Sequence, residues 1–377
     1  MPIHRSSRIL AAIVGVLIWS LSPASLFAST YDQVNLVSNI PGLADLTDGN
    51  LVDPWGVSFS ATSPFWISDN VTNLSTLYTG TPTINSTVVS VPGGPTGQVN
   101  NGNSSAFVLS DNKSANFIFD TQAGTLLAWN SGIGSTAATV YTNPNPNASY
   151  TGLASGTSGG NTYLYAANAA GSIDVFNSSF APASLAGNFT DPNLPPGYVP
   201  YNIQMIDGEL YVTYVIYDSQ GDETPSGIVD IFDTSGNYIS RFSSSAALDA
   251  PWGITLAPAA FGGFGGDILV GNFLNGEINA FDPTTGAFVG TLDDSNGNPI
   301  ADPGLWALDF RTGGTGDNTN ALYFTAGINN ETDGLFGEIV LTPTPEPAPF
   351  LLAGSAILAL ALVRIRHSRT PSTAQSA

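Results

Sequence analysis

From residue 29 to residue 342 the chain alternates short apolar runs with clusters of Gly, Pro, Asn and Asp, and no stretch carries the spacing of an amphipathic helix. Period-two alternation broken by turn formers predicts strands and tight turns, hence an all-β fold. Comparing the chain with itself sharpens this reading. A strand that opens on Gly and closes on an aromatic recurs as Gly124-Thr-Leu126-Leu-Ala-Trp129, Gly171-Ser-Ile173-Asp-Val-Phe176, Gly227-Ile-Val229-Asp-Ile-Phe232 and Gly276-Glu-Ile278-Asn-Ala-Phe281. Gly337-Glu-Ile339 is a fifth copy without the aromatic, and residues 73–78 are a degenerate one. An alternating strand precedes each copy, at residues 65–68, 117–120, 163–166, 210–213, 268–271 and 322–325, and the Gly- and Asn-rich link in most copies predicts a hairpin.

A third strand lies further upstream, plainest at Pro54-Trp55-Gly56-Val57 and Pro251-Trp252-Gly253-Ile254, with fainter versions at Ala106-Phe107, Gly152-Leu153, Asn202-Ile203 and Ala307-Leu308. Copies of short antiparallel strands repeating about every 50 residues are what a propeller requires, because a lone blade cannot bury both faces of its sheet and a closed ring can. The sequence therefore predicts a single six-bladed β-propeller over residues 29–342, with residues 31–38 offering a strand to close the ring. Seven blades stay open because the stretch from 177 to 200 is long, and an irregular pair of β-sandwiches is the other architecture. The polar, acidic residues 218–226 read as an exposed loop extension.

The two ends read differently, and they are the only segments expected to be helical. Residues 1–28 place Arg5 and Arg8 before an apolar run at 9–21 and a small-residue stretch ending at Ala28, the three parts of a secretory signal peptide cleaved after Ala28. A retained anchor is the alternative, against which the run is short for a bilayer. Residues 343–377 carry Pro345-Glu346-Pro347, an apolar span at 350–363, and Arg364, Arg366 and Arg369. At about 1.5 Å per residue this span covers only about two-thirds of a hydrocarbon core of about 30 Å, and the trailing arginines would hold it on the cytoplasmic side. A one-pass anchor remains the simpler alternative.

That order of motif, apolar span and basic cluster resembles the PEP-CTERM sorting signal of Gram-negative bacteria that make exopolysaccharide. The resemblance implies a transient inner-membrane anchor, signal peptidase and exosortase as processing partners, and release to the cell surface or extracellular matrix. The P-x-G-[IV] strand followed by a hairpin resembles NHL-type propeller repeats. The whole body resembles an uncharacterised family of exported, PEP-CTERM-tailed propellers, through Pro41-Gly-Leu-Ala-Asp-Leu-Thr, the two Pro-Trp-Gly strings and Leu322-Tyr-Phe-Thr-Ala-Gly. It implies architecture and export, and no activity.

Charge and composition then narrow the chemistry. Of the basic residues only Lys113, Arg241 and Arg311 lie between the tails, against 29 acids, so residues 29–346 carry a net charge near −26. Such a body repels phosphate backbones and anionic lipid, so neither nucleic acid nor a membrane is a partner, apart from the unprocessed tail. There is no cysteine, and the two histidines, His4 and His367, sit in segments expected to be removed. Disulfides, thiolate or imidazole metal sites, Cys nucleophiles and Ser-His-Asp hydrolysis are thereby excluded for the processed body.

Oxygen-ligated calcium is the one metal still open, and no other cofactor is expected. The nearest loop motif, Asp294-Ser-Asn296-Gly-Asn298, lacks the glycine expected at position six and has Leu305 where the twelfth, acidic ligand belongs. A weaker metal set is Asp69, Asn70, Asp120, Asn168 and Asn272 at the ends of the middle strands, where asparagine also serves simply as a turn residue. Superposing the third strands puts Trp55, Ser105, Thr151, Tyr201, Trp252 and Trp306 around one mouth of the channel. Calcium-dependent lactonases of this architecture carry acidic or amide ligands there, and none appears. Four aromatics and two hydroxyls instead suit a sugar, whose C–H faces pack on rings while Trp and Tyr donors meet its hydroxyls. The competing reading has the Trp rings wedged between blades, plugging the channel. The sequence thus favours an exported, non-enzymatic binding propeller with extracellular polysaccharide as partner. The alternative is a calcium- or carboxylate-dependent hydrolase or lyase. The Asn-x-Ser/Thr strings are assigned no role.

Overall fold

A computed structural model describes residues 29–311 and 318–342. The signal peptide with its cleavage at Ala28 and the sorting tail with Pro345, Glu346 and Pro347 lie outside the described residues. Among the described residues no helix is long and apolar enough to cross a membrane.

The chain forms a six-bladed β-propeller. A first strand, β1 (Tyr31–Ser38), and the short β2 (Leu46–Thr47) are set aside for the last blade. Blade 1 is β3 (Pro54–Ser58), β4 (Phe65–Asp69), β5 (Leu74–Tyr78) and β6 (Val89–Ser90). Blade 2 is β7 (Pro95–Asn100), β8 (Phe117–Thr121), β9 (Thr125–Trp129) and β10 (Ala138–Thr142). Blade 3 has three strands, β11 (Tyr150–Ser158), β12 (Asn161–Asn168) and β13 (Ser172–Asn177). Blade 4 is β14 (Val199–Ile206), β15 (Glu209–Val215), β16 (Ile228–Phe232) and β17 (Tyr238–Ser243). Blade 5 is β18 (Pro251–Leu256), β19 (Ile268–Asn272), β20 (Ile278–Phe281) and β21 (Phe288–Thr291). Blade 6 is β22 (Leu305–Phe310), β23 (Leu322–Ala326) and β24 (Leu335–Leu341), completed by β1, which pairs antiparallel with β24 from Tyr31↔Leu341 to Ser38↔Leu335. The expected closing strand at 31–38 is therefore in place. The stretch between β13 and β14 forms no strand, so no seventh blade arises.

The middle strands are apolar on both faces because each blade is covered by a neighbour on either side. In β4 all five residues are buried. Phe65 and Ile67 pack towards blade 6 beside Tyr323 and Phe336, while Trp66, one residue out of phase, stacks on Phe117 of blade 2 at 4.0 Å. The buried apolar side chains gather into one cluster at each of the six blade interfaces and a seventh on the axis. Burying such surface stabilises by roughly 25 cal/mol per Å².

Every inner strand has a β-bulge after its first or second residue, as between Pro54 and Val57, Pro95 and Gln98, Pro200 and Asn202, Pro251 and Ile254, and Leu305 and Leu308. The bulge re-aims the second residue and brings the third against the next blade. A Cβ on Gly56 would sit 2.5 Å from the Thr96 carbonyl oxygen, one on Gly97 2.2 Å from the Leu153 nitrogen, and one on Gly253 2.4 Å from the Trp306 carbonyl oxygen. The glycine of the Pro-x-Gly string is thus the spacer that lets inner strands touch around the ring.

The inner strand of blade 2 departs from the sequence reading, being Pro95–Asn100 rather than the Ala106-Phe107 pair. Those two residues are buried, but in the loop between β7 and β8, where they pack at the interface with blade 3 and imitate a strand. Residues 218–226 are an extension as expected, with one exception taken up below.

Candidate functional site

Five of the six residues superposed on the channel mouth lie at the start of an inner strand, Trp55, Thr151, Trp252 and Trp306 at its second position and Tyr201 at its third. Ser105 does not. It is exposed in the β7–β8 loop, and Thr96 of the Pro95-Thr96-Gly97 string occupies its place. The four aromatics meet on the axis. Trp55 and Trp306 stack at 3.5 Å, Trp252 meets their edges at 6.2 and 5.7 Å, and Tyr201 lies 5.9 Å from Trp306. All four are between 0% and 4% exposed. Their donors are met inside the protein: Trp55 Nε1 and Trp306 Nε1 donate to the two oxygens of Asp53 at 2.8 and 2.9 Å, Trp252 Nε1 to the Thr151 carbonyl at 2.9 Å, and the Tyr201 hydroxyl to Glu223 at 3.0 Å. Of the two readings of these rings, an open rim or a plug, the structure has the plug: the four side chains are buried against one another and close this end of the channel.

Three carboxylates gather at this closed end. Asp53 precedes Pro54 in a left-handed conformation, φ 49°, and Gly327 leaves it room. Burial pushes its carboxyl up to about 6, in spite of the two indole donors. Glu223 comes from the 218–226 extension, so that loop also anchors the plug, and burial raises its carboxyl too. Glu331 ends a left-handed run through Asn329, Asn330 and itself, and burial, with the charges of Asp53 and Glu223, pushes it to about 7. This trio was not legible in the sequence, because 108 or more positions separate each member from the next; only Asp53, beside Pro-Trp-Gly, stands near a motif.

The opposite end of the channel is open. A mouth of about 320 Å³ is lined by Ser58, Phe59, Asn100, Ser155, Gln204, Met205 and Asp309, among others, where the inner strands finish. Below it the channel narrows to a cavity of about 30 Å³, and Gln98, Gln204 and Asp309 line both. Gln98 is 5% exposed, and its Nε2 donates to the Gly56 and Trp66 carbonyls at 2.7 and 2.6 Å. Those oxygens only accept, which fixes the amide's orientation and leaves Oε1 buried with no hydrogen-bond partner. Burial pushes the Asp309 carboxyl up to about 7. It is the one titratable side chain among the residues lining the mouth and the cavity.

The suggested metal ligands are dispersed over four blades, with Asp69 and Asn70 in blade 1, Asp120 in blade 2, Asn168 in blade 3 and Asn272 in blade 5. Their amides bind backbone or neighbouring side chains: Asn70 to the Pro95 carbonyl, Asn168 to Asp174, Asn272 to the Ala247 carbonyl. Asp294 accepts from the Asn296 and Asn298 backbone, a self-capped turn. Among the described residues no group of three Asp, Glu or His is placed to hold a metal ion.

No known family profile matches the chain. An uncharacterised protein of Acanthamoeba polyphaga mimivirus is 29% identical over 330 residues, which is 81% of this chain and 78% of the viral one. A second uncharacterised protein of the same virus is 33% identical over 182 residues, 45% of this chain and 46% of its own length. Among solved structures, a protein of unknown function from Bacteroides thetaiotaomicron is 12% identical with a TM-score of 0.52, over 83% of this chain and 76% of that one. Virginiamycin B lyase from Staphylococcus aureus is 15% identical with a TM-score of 0.45, over 83% of this chain and all of that one. The Bacteroides likeness supports the propeller fold. The matched relatives by sequence are viral, so bacterial origin and a sorting tail rest on the terminal segments alone.

Proposed function

We propose that this chain is an exported, non-enzymatic binding propeller, displayed at the cell surface or in the extracellular matrix, that holds a glycan in the open mouth of its channel. The mouth carries the reading. Its side chains offer hydroxyls, amides, one carboxylate and the apolar bodies of Phe59 and Met205, a mixture suited to a hydroxyl-rich ring with C–H faces. It has a single carboxylate where a hydrolase of sugars would use a pair. Export and display are supported by the secretory and sorting patterns at the two ends.

Binding of the purified protein to a glycan array tests the function. Retention of hydroxyl-rich glycans, weakened about tenfold by Gln204→Ala in a variant of unchanged melting temperature, supports it. Absence of retention overturns it. Mass spectrometry of the extracellular form tests the tail, and a peptide running through Val363 overturns its removal.

A second reading is favoured by Glu331, whose carboxyl near 7 suits acid–base work beside Asp53 and Glu223. It makes the closed end the site of a carboxylate hydrolase or lyase. Turnover of lactone or glycoside substrates, abolished by Glu331→Gln, supports that reading; turnover unchanged in the variant removes it.

A further inference from the structure

The floor of the mouth is rich in hydrogen-bond acceptors, with the Gln204 amide as a neighbouring side chain that can also donate. Gln98 Oε1 has no hydrogen-bond partner, and its amide cannot turn over without setting two backbone carbonyls against an oxygen. Asn202, which also lines the cavity, spends its Nδ2 on the Trp252 carbonyl at 2.8 Å and its Oδ1 on the Ile203 N–H. Asp309 adds a carboxylate, and no Lys, Arg or His lines the cavity or the mouth. An unmet buried acceptor is costly, so the arrangement calls for a donor of positive charge. The cavity, at about 30 Å³, suits a group the size of a water molecule or an ammonium, and the wider mouth above it accommodates what that group is attached to.

We infer that the mouth selects saccharides bearing a free primary amine, whose ammonium group enters the channel and donates to Asp309 and to Gln98 Oε1. The inference rests on the glycan reading and names the sugar class that reading leaves open. The acidic body, with a net charge near −26 over residues 29–346, draws a cationic polymer towards the molecule from any direction, whereas the channel floor decides which group enters. A neutral N-acetylated sugar presents one amide N–H and an added acyl group, which the narrow cavity does not admit.

Titration calorimetry of the full-length protein with three probes tests this: a glucosamine tetramer, the N-acetylglucosamine tetramer and a glucose tetramer. The expected result is that the glucosamine tetramer binds at least about tenfold more tightly than the other two, and that Asp309→Asn removes the preference with the fold retained by circular dichroism. Because a polyanion also attracts a polycation without any site, the same comparison is run at 0.5 M salt, where exposed charges are screened and a buried contact persists. Equal binding of all three probes overturns the inference and leaves the glycan reading standing. A preference that vanishes in salt, or survives in Asp309→Asn, also overturns it. Binding of none of the three overturns the inference and the glycan reading together.

Discussion

The Thr96 hydroxyl has one proton and two neighbours 2.8 Å away, Asp120 Oδ1 and the Tyr150 carbonyl oxygen. A carbonyl can only accept, so both contacts are made at once only when Asp120 is a neutral acid that donates to Thr96 while Thr96 donates to Tyr150. Burial acts in the same direction, pushing the Asp120 carboxyl up to about 7. The folded state then holds a proton that the unfolded chain releases near 4. This contribution is fully present below the unfolded value and is lost as pH rises through about 7. Asp120→Asn keeps a donor towards Thr96 without titrating. Relative to the natural protein it is expected to gain roughly 2–3 kcal/mol between pH 5 and pH 8, read from urea midpoints at the two values. A constant difference between the two proteins sinks the neutral-acid assignment. At this scale the sequence was only partly readable. Asp120 stood out as a carboxylate near the ends of the middle strands, but its charge state depends on Thr96, which fell outside the superposition because Ser105 had been put in its place.

The inner strand is the element on which the ring depends, and its third residue is where adjacent blades come closest. Gly97→Ala drives a methyl group to 2.2 Å from a backbone nitrogen that cannot move without its blade, so a loss of about 2–4 kcal/mol in stability is expected. Gly102→Ala, with nothing within 4 Å, is expected to stay within about 0.5 kcal/mol. Chemical denaturation of both variants checks the contrast, and similar losses would contradict the spacer role. The hairpins were legible because Gly-rich turns and aromatic ends repeat. Two inner strands were legible as Pro-Trp-Gly, and Pro95-Thr96-Gly97 was missed for want of its Trp although its proline and glycine do the same work. Blade 4 adds a different tie. Arg241 pairs with the buried Asp230 and with Asp191, which sits in the strandless stretch before β14. Arg241→Ala leaves two fully buried carboxylates without their cation and is expected to cost about 3–5 kcal/mol, whereas a change under about 1 kcal/mol in thermal unfolding contradicts it.

For the molecule as a whole, burial raises the carboxyls of Asp53 and Asp230 to about 6 and of Asp120, Asp309 and Glu331 to about 7. Each favours the folded state below its unfolded value and loses that advantage as pH rises through its folded one. Exposed turn carboxyls such as Asp294, held near 2 by backbone donors, act oppositely, and only below about pH 4. The melting temperature is therefore expected to peak in mild acid, near pH 4–6, and to fall towards pH 8; a rise over that interval would show that the buried acids do not govern stability. The ring was foreseeable from a repeat of similar length, and a plug of Trp rings was one of the two readings the Pro-Trp-Gly strings allowed; the open mouth at the other end was not legible, because it depends on which side chains meet across the axis. Closure has a consequence in time. Since β1 is held by β24, some three hundred residues later, the ring waits for its last strand, and the flank of blade 1 that meets blade 6 stays uncovered until then. A polypeptide so arranged locks into its ring only on completion, so that the last step of folding joins its two ends.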